Sequence, residues 1–464
     1  MLMPQMAGSL VRYPARVTTL WFVSMIAMGS FFLAMPWSHR SSAHPISWLD
    51  ACFTATSALC VTGLSVRSTP HDFSFVGQLV ILALIQLGGI GIMTLTTFIL
   101  MQLGGRSGLR HRAVIAETLG AGEHSDVRLI LRRVLGCTAI IEGAGIAILW
   151  LRFLFDGRSV LGALWQAIFH AISAFCNAGF ALYDDSLIRY QSDPIVNLVV
   201  CALIILGGLG FPVLLDVYNG FRWSKPFDWY DLHIHSKVTL IGTGVLLLGG
   251  FVLFLVIEWD NAIAGQPWYA KVMIAAFHST TCRTAGFNSI DLNDLTNASL
   301  FITILLMAIG AGPCSTAGGI KVSTVSLLAM QAYRRFQGRS CLSFFRRTIP
   351  QAAVDRAMAT VMTFFAIGTL ACTLLMVVEQ SGRSHRSLAG QSDSALDLVF
   401  EVISALGTVG LSTGVTPNLS ALGKCVIIGL MFLGRLGPIS VISALSKTTR
   451  EAKVEFANEE PLVG

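Results

Sequence analysis

Val61-Thr62-Gly63, Asn177-Ala178-Gly179, Thr284-Ala285-Gly286 and Thr408-Val409-Gly410 are four versions of one short ending. Each closes a longer copy that opens on Phe53, Phe169, Phe277 or Phe400 and carries a hydroxyl four residues on, at Ser57, Ser173, Thr281 or Ser404. Leu64, Phe180, Phe287 or Leu411 follows the glycine. The chemistry open to such a tripeptide is that of its backbone. Glycine tolerates positive φ, so successive carbonyls can turn toward one axis. A ring of carbonyl oxygens can replace the water of a dehydrated monovalent cation. One such glycine alone is more simply a turn or a helix-packing contact. Four in matched context favour the ion path. The glycines stand 116, 107 and 124 residues apart, a repeat that sets the organisation of the whole chain.

The elements that must position these loops follow from the apolar pattern, and the fold class expected is an all-α polytopic membrane protein. Four helix–pore-loop–helix repeats would stand with pseudo-fourfold symmetry around one pore. Repeat one covers 17–100: a spanning helix at Val17–Trp37, a short helix at Ser47–Leu59, the glycine loop, and a second span at Phe73–Leu100. Repeat two, 128–221, reads Leu129–Phe155, Leu161–Phe175 and Pro194–Phe221. Repeat three, 236–333, reads Lys237–Ile257, Trp268–Cys282 and a long segment from Ser299 to Tyr333. Repeat four, 352–447, reads Ala352–Val378, Ala395–Leu406 and Leu419–Leu445, and a cytoplasmic tail at 448–464 follows. A segment of a dozen residues cannot cross a bilayer core of about 30 Å. It must enter and return, and irregular backbone at that depth survives only where protein or water surrounds it. The short helices would aim their partly negative C-terminal ends at the cation path.

Composition agrees. Hydrophobic residues make up 54 % and charged residues 12 %, and mean hydropathy is +0.68, which excludes an ordinary soluble domain. The net charge of +6 does not indicate nucleic acid, because the basic residues crowd the loops between repeats. Arg12, Arg16, Arg106, Arg110, Arg112, Arg128, Arg132, Arg133, Arg222, Lys225, Lys237, Arg334, Arg335, Arg339, Arg346, Arg347, Arg356, Lys447, Arg450 and Lys453 lie there, and far fewer (Arg40, Arg67, Arg158, Arg189, Arg383, Arg386 and Lys424) flank the glycine loops. The positive-inside rule then puts both termini in the cytoplasm and the loops outside. The first apolar run is longer than a signal-peptide core and reads as a retained helix. Ten cysteines without a CxxC pair imply neither a disulfide framework nor a zinc site.

Repeat three carries a further irregularity, Gly310-Ala311-Gly312-Pro313-Cys314-Ser315-Thr316-Ala317-Gly318-Gly319-Ile320-Lys321. Four glycines and a proline cannot hold a continuous helix, so an intramembrane loop is expected, with a packed kink as the plainer alternative. Arg435 sits inside the last span and must face the pore or a partner, Glu142 or Asp216 being candidates for a structural pair. Glu401 fills the slot held by Thr54, His170 and His278 in the other copies. It would either draw cations to the mouth or bond the filter backbone. The two histidines read as hydrogen-bonded core residues rather than metal ligands.

With these stretches in view, the chain resembles the membrane subunit of the Trk/Ktr/HKT superfamily of potassium transporters over nearly its whole length. The carriers are Thr56-Ser57-Ala58 through Thr62-Gly63-Leu64, Asn177-Ala178-Gly179-Phe180, Arg283-Thr284-Ala285-Gly286-Phe287-Asn288 and Gly407-Thr408-Val409-Gly410-Leu411-Ser412. Repeat one begins almost at the N-terminus, which favours a Ktr-type subunit. The resemblance implies K+ selection at the filter loops, Gly63 siding with the potassium type where a serine would favour sodium. It implies a gating loop at Gly310, Gly312, Pro313, Ser315, Thr316, Gly318, Gly319 and Lys321, with Arg435 as a barrier beside it. It also implies a homodimer in a bacterial inner membrane, docked on a cytosolic nucleotide-binding ring of the KtrA/TrkA type. Arg334-Arg335 and Arg346-Arg347 would meet that ring, unless they only set topology. Two departures stand out: the third copy has nine residues from Phe277 to Gly286 against ten elsewhere, and no copy has the second glycine of TVGYG.

No covalently bound cofactor is expected, only the transported K+, with Na+ as the alternative. No nucleotide-binding loop is present, so energy would come from the membrane potential or another subunit. Sodium transport or obligate H+ or Na+ symport remains the alternative within transport. A membrane enzyme built on Glu142, Asp216 and the histidines lacks HExxH or paired acid/base spacing. A non-conducting scaffold would predict eroded glycine loops.

Overall fold

Long apolar runs fold as helices because every backbone polar group must find its partner inside the segment when lipid surrounds it. The structure, a computed structural model, describes residues 14–40, 45–104, 127–220, 229–338, 343–344, 347–380 and 395–437. Repeat one holds α1 (Pro14–Ala34), α2 (Trp48–Leu59) and α3 (Phe75–Gly104). Repeat two holds α4 (Val127–Leu154), α5 (Val160–Phe175), α6 (Pro194–Leu209) and α7 (Phe211–Gly220). Repeat three holds α8 (Ile234–Glu258), α9 (Trp268–Thr281), α10 (Asn297–Ala308) and α11 (Val322–Phe336). A two-residue hairpin, β1 (Ser343–Phe344) with β2 (Arg347–Thr348), precedes α12 (Gln351–Gln380), α13 (Ala395–Gly407) and α14 (Ala421–Leu436). The tail 448–464, Pro438 and the remainder of the last expected span lie outside the described residues, as do Arg12, Arg106, Arg110, Arg112, Arg222, Lys225, Arg339, Arg346, Arg383, Arg386, Lys447, Arg450 and Lys453.

Among the described residues, Arg132–Leu154, Ile234–Glu258 and Gln351–Glu379 are long and apolar enough to cross a membrane alone. The second span of repeat two is not the continuous helix expected. Its two pieces, α6 and α7, meet at 101°. Gly210 takes φ +89° there, a side chain on it would lie 2.4 Å from the Pro313 carbonyl oxygen, and Pro212 offers no N–H to continue the ladder. In repeat three α10 stops at Ala308 and α11 begins at Val322, so residues 309–321 are irregular backbone. The first helix also stops short of Trp37, at Ala34, and Pro36–Ser38 form a 3-10 turn.

The short helices start on side-chain caps that supply acceptors for free N–H groups: Ser47 Oγ accepts from Asp50 N at 3.1 Å and Ser159 Oγ from Gly162 N at 3.2 Å. Thr296 and Ser420 cap α10 and α14 in the same way. The phenylalanine that opens each copy, Phe53, Phe169, Phe277 or Phe400, is fully buried and anchors its short helix in one continuous core.

Packing between repeats runs in a closed cycle. The second helix of each repeat lies against the short helix of the next: α3 on α5, α6 on α9, α10 on α13, and α14 back on α2. The last contact is reinforced by charge. Asp50, in the first turn of α2, accepts from Lys424 Nζ of α14 at 2.9 Å and from Arg67 Nε at 3.0 Å. The Asp50 side chain is 6 % exposed while Arg67 is 29 % exposed, so its charge depends on both partners. Asp50→Ala strands two cations and is expected to destabilise the protein by about 2 kcal/mol, below the 3–5 of a wholly buried pair. Arg67→Ala should cost less than half as much, because Lys424 still serves Asp50. Thermal unfolding of the detergent-solubilised variants checks this order, and equal shifts would contradict it.

Candidate functional site: a ring of four glycine loops

Each glycine loop alternates the sign of its backbone twist. Val61, Asn177, Thr284 and Thr408 take φ of +55°, +58°, +67° and +49°, and Gly63, Gly179, Gly286 and Gly410 take +97°, +69°, +77° and +92°. The middle residues, Thr62, Ala178, Ala285 and Val409, stay at negative φ. Such alternation turns successive carbonyls to one side of the strand, as carbonyl-lined ion paths require. For valine and threonine positive φ is an outlier conformation costing about 1–3 kcal/mol each. The surroundings must therefore impose it.

The hydroxyl four residues after each phenylalanine does so. The Ser57 carbonyl accepts from Thr62 N at 2.8 Å, and Ser57 Oγ accepts from Gly63 N at 3.1 Å. Ser404 repeats this with Val409 N at 2.8 Å and Gly410 N at 3.1 Å, and its hydroxyl donates to the Leu411 carbonyl at 2.6 Å. Ser173 binds Ala178 N at 2.7 Å and donates to the Phe180 carbonyl at 2.7 Å. In the shortened third copy the Thr281 carbonyl takes Ala285 N at 3.0 Å, and its hydroxyl donates to the Phe287 carbonyl at 2.8 Å. The deletion is absorbed by a bond four residues long where the others span five.

The loops close on one another in order. A Cβ built on Gly63 would lie 2.6 Å from the Ala178 carbonyl oxygen, on Gly179 2.9 Å from that of Ala285, on Gly286 2.5 Å from that of Val409, and on Gly410 2.0 Å from that of Thr62. Every glycine thus abuts the middle carbonyl of the next loop, and the cycle returns to its start. The hydroxyls of Thr62, Thr284 and Thr408 are buried without a hydrogen-bond partner. A cavity of about 450 Å³ opens on the ring, lined by all four glycines together with Arg67, Asp72, Asp184 and Asn288.

Beneath the ring lies the irregular stretch 309–321. Gly310 N donates to the Ile320 carbonyl at 2.9 Å and Val322 N to that of Ala311 at 3.0 Å, closing its neck. Gly312 N and Thr316 N donate to the carbonyls of Gly208 and Gly207 at 2.8 and 3.2 Å, and Thr316 Oγ1 to that of Phe175 at 3.1 Å. Ser315 Oγ turns back on the Gly312 carbonyl at 2.6 Å, and Lys321 Nζ on that of Ala317 at 2.7 Å. Gly319 takes φ +64°, and the Pro313 carbonyl abuts Gly210. A Cβ on Gly318 would lie 2.0 Å from Thr408 Oγ1. The stretch therefore sits directly against the fourth loop. Arg435 donates through Nη1 to the Thr316 carbonyl and through Nη2 to that of Gly88 at 2.9 Å. The structural pair with Glu142 or Asp216 is not formed, since Gln86 donates to Glu142 and His233 pairs with Asp216.

Glu401 departs from expectation. It is fully buried and accepts from Ser412 Oγ and Thr416 Oγ1, both at 2.5 Å, in the segment after the ring. It does not line the mouth, and the backbone it bonds is that of Thr413, three residues beyond Gly410, rather than that of the loop itself. His170, in the matching slot, accepts from Leu182 N at 3.3 Å, and His278 meets Thr303 Oγ1 at 3.0 Å. Both are hydrogen-bonded core residues, and no cluster of metal ligands exists among the described residues.

Sequence reasoning passed over one set of positions. Cβ atoms on Gly88, Gly207 and Gly434 would lie 1.9, 1.9 and 2.1 Å from the carbonyl oxygens of Leu59, Phe175 and Leu406 at the ends of the short helices. These glycines let the second helix of repeats one, two and four press on the backbone just before the loop. The signal was available: they stand 25, 28 and 24 residues beyond their loop glycines, and Gly310 stands 24 beyond Gly286.

Comparison with known proteins agrees with this architecture. Residues 27–455 match the TrkH family, described as cation transport protein. The chain is 38 % identical to the Ktr system potassium uptake protein B of Vibrio alginolyticus, over 93 % of this chain and 91 % of that protein. It is 36 % identical to the protein of the same name from Bacillus subtilis (strain 168), over 97 % of both. The potassium/sodium uptake protein NtpJ of Enterococcus hirae is 37 % identical, again over 97 % of both. The crystal structure of the potassium transporter TrkH from Vibrio parahaemolyticus shares the fold, with a TM-score of 0.69 at 20 % identity over 92 % of this chain and 84 % of that one.

The hydroxyl clips give a prediction of their own. Ser404→Ala leaves the N–H of Gly410 and the carbonyl of Leu411 without their partner, a loss of about 1–3 kcal/mol concentrated at one loop. The expected outcome is a folded protein with a lowered K+ over Na+ preference in uptake, measured beside Thr373→Ala on the exposed face of α12, which should match wild type.

Proposed function

The chain belongs to the TrkH cation transport protein family, and we propose that it is the potassium-translocating membrane subunit of a Trk/Ktr-type uptake system. The observation that carries the reading is the closed cycle of four glycine loops at strained backbone angles. In this reading the loops are four quasi-equivalent quarters of one selectivity filter. A hydrated cation arrives in the 450 Å³ vestibule, where Asp72 and Asp184 favour positive charge. It sheds water against the carbonyls of the ring, which face one axis at no reorganisation cost because the clips already hold them.

The stretch 309–321 is the gate. Its contact with Thr408 supports a position at the exit from the ring, where Arg435 would add a positive charge that opposes a passing cation. Arginine at this depth is costly unless backbone carbonyls or water receive it, and two carbonyls do. The subunit pairs as a homodimer in a bacterial inner membrane, with both termini cytoplasmic, and a cytosolic nucleotide-binding ring acts on the gate. The Ktr system names of two relatives support a multi-component assembly. Potassium with sodium as a second ion is the alternative, favoured by the name of the Enterococcus relative.

The test is uptake of K+ and Na+ by bacteria stripped of their own potassium uptake systems and supplied with this chain and its cytosolic partner. Wild type should show saturable K+ uptake. Gly63→Ser, whose side chain must displace the Ala178 carbonyl 2.6 Å away, should weaken the preference for K+. Deleting 312–318 should raise basal uptake. A wild type that moves no monovalent cation would sink the proposal; equal transport of both ions would keep the ring and remove its assigned selectivity.

A further inference from the structure

Repeat three differs from the others in three places that meet at one side chain. Two residues after the clip hydroxyl stand Leu59, Phe175 and Leu406 in repeats one, two and four, each receiving a glycine of the second helix on its carbonyl. Repeat three has Arg283 at that place, its copy is one residue shorter, and its second helix is broken where the glycine would press. Arg283 is 4 % exposed. Its Nη2 donates to the carbonyl of Gly310 at 2.9 Å, and no ion pair reaches it among the described residues. Gly310 is the first residue of the gating loop's neck, hydrogen-bonded across to Ile320. On the other side Arg283 precedes Thr284, which opens the third filter loop at φ +67°.

We propose that Arg283 is a positioning residue that ties the third filter loop to the neck of the gating loop, so that filter order and gate closure are set together. The inference rests on the filter-and-gate reading above. The physical ground is the asymmetry of the bond. A guanidinium stays charged wherever it is buried, so without a carboxylate it is stable there only while carbonyl oxygens face it. The Gly310 carbonyl is such a partner, and it moves if the neck opens. The loss of that one charge-assisted bond is felt at both ends: the neck loses an anchor, and the backbone before Thr284 loses a constraint on a conformation threonine does not favour. The other three repeats need no such tie, because there the pressing glycine (Gly88, Gly207 or Gly434) lies within a helix and meets the carbonyl directly.

The loop carries its own reporter, Cys314, partly exposed at φ +55°. The experiment uses the full chain in membranes with its cytosolic partner. It follows alkylation of Cys314 by a membrane-permeant maleimide through peptide mass spectrometry, with the buried Cys60 in the same molecules as a control. Arg283→Gln is expected to speed Cys314 labelling about tenfold, the worth of a hydrogen bond to a charged group, with Cys60 unchanged and K+ over Na+ preference lowered. Arg283→Lys, which keeps the charge but not the planar fork, should fall between. Labelling within twofold of wild type in both variants would overturn the tie. So would equal acceleration at Cys60, which would mean general loosening. If Arg283→Gln does not reach the membrane, Arg283→Lys decides by the same criteria. In a chain lacking 312–318, Arg283→Gln should lower the ion preference no further; an added loss would show that Arg283 acts on the filter alone and overturn the coupling. Because labelling is read without transport, the two failures differ: a chain that moves no cation sinks the transport reading, and unchanged Cys314 labelling in a transporting chain sinks the tie alone.

Discussion

Irregular backbone inside a membrane protein must have every polar group answered, and the ring of glycine loops turns that constraint into its working part. The loops leave the helical ladder at Cys60, Cys176, Cys282 and Thr408, and their N–H groups fold back on the short helix, on Ser57, Ser173, Thr281 and Ser404. That leaves the carbonyls facing the other way. The strain of β-branched residues at positive φ is held by these clips and by backbone-to-backbone contact between neighbouring loops, where no side chain fits. The rest of the fold serves to press four short helices together at the right height.

The same constraint explains the buried cations. Arg435, Lys321 and Arg283 all donate to backbone carbonyls of the stretch 310–318 rather than to carboxylates. An irregular stretch has carbonyls to spare, and long cationic side chains are the natural donors for them. A cost of burying charge and a cost of breaking a helix thus offset each other at one place. The acidic side chains are spent elsewhere: Asp50 joins repeat four to repeat one, Glu258 receives the start of α10 through Thr296, and Glu401 braces the segment after the fourth loop. In the proposed mechanism this division leaves the exit from the ring positive and its mouth mildly negative.

Periodicity and motif spacing made much of this legible. The short helices lie within a residue or two of where apolar length placed them. The repeat of phenylalanine, hydroxyl and glycine located the ring, and the glycine-rich stretch in repeat three located the broken helix. The bend at Gly210 was missed because the apolar run Pro194–Phe221 has the length of one span. The Pro313 carbonyl that packs against Gly210 there comes from another repeat. Glu401 was misjudged because its slot in the repeat is defined by sequence, while its partners, Ser412 and Thr416, are chosen by how the chain returns after the loop.

What the sequence determined by itself was local and repeated: where the short helices and most long ones lie, where a glycine permits positive φ, and that four copies exist. These follow from apolar length and backbone sterics, which act within a few residues. What only the tertiary structure decided was cyclic order, the identity of the carbonyl each glycine meets, and the destination of each buried charge. Lys424 reaches Asp50 and Arg435 reaches Gly88 across more than three hundred residues. No local rule carries a contact that far, because it exists only once all four repeats have closed around the axis.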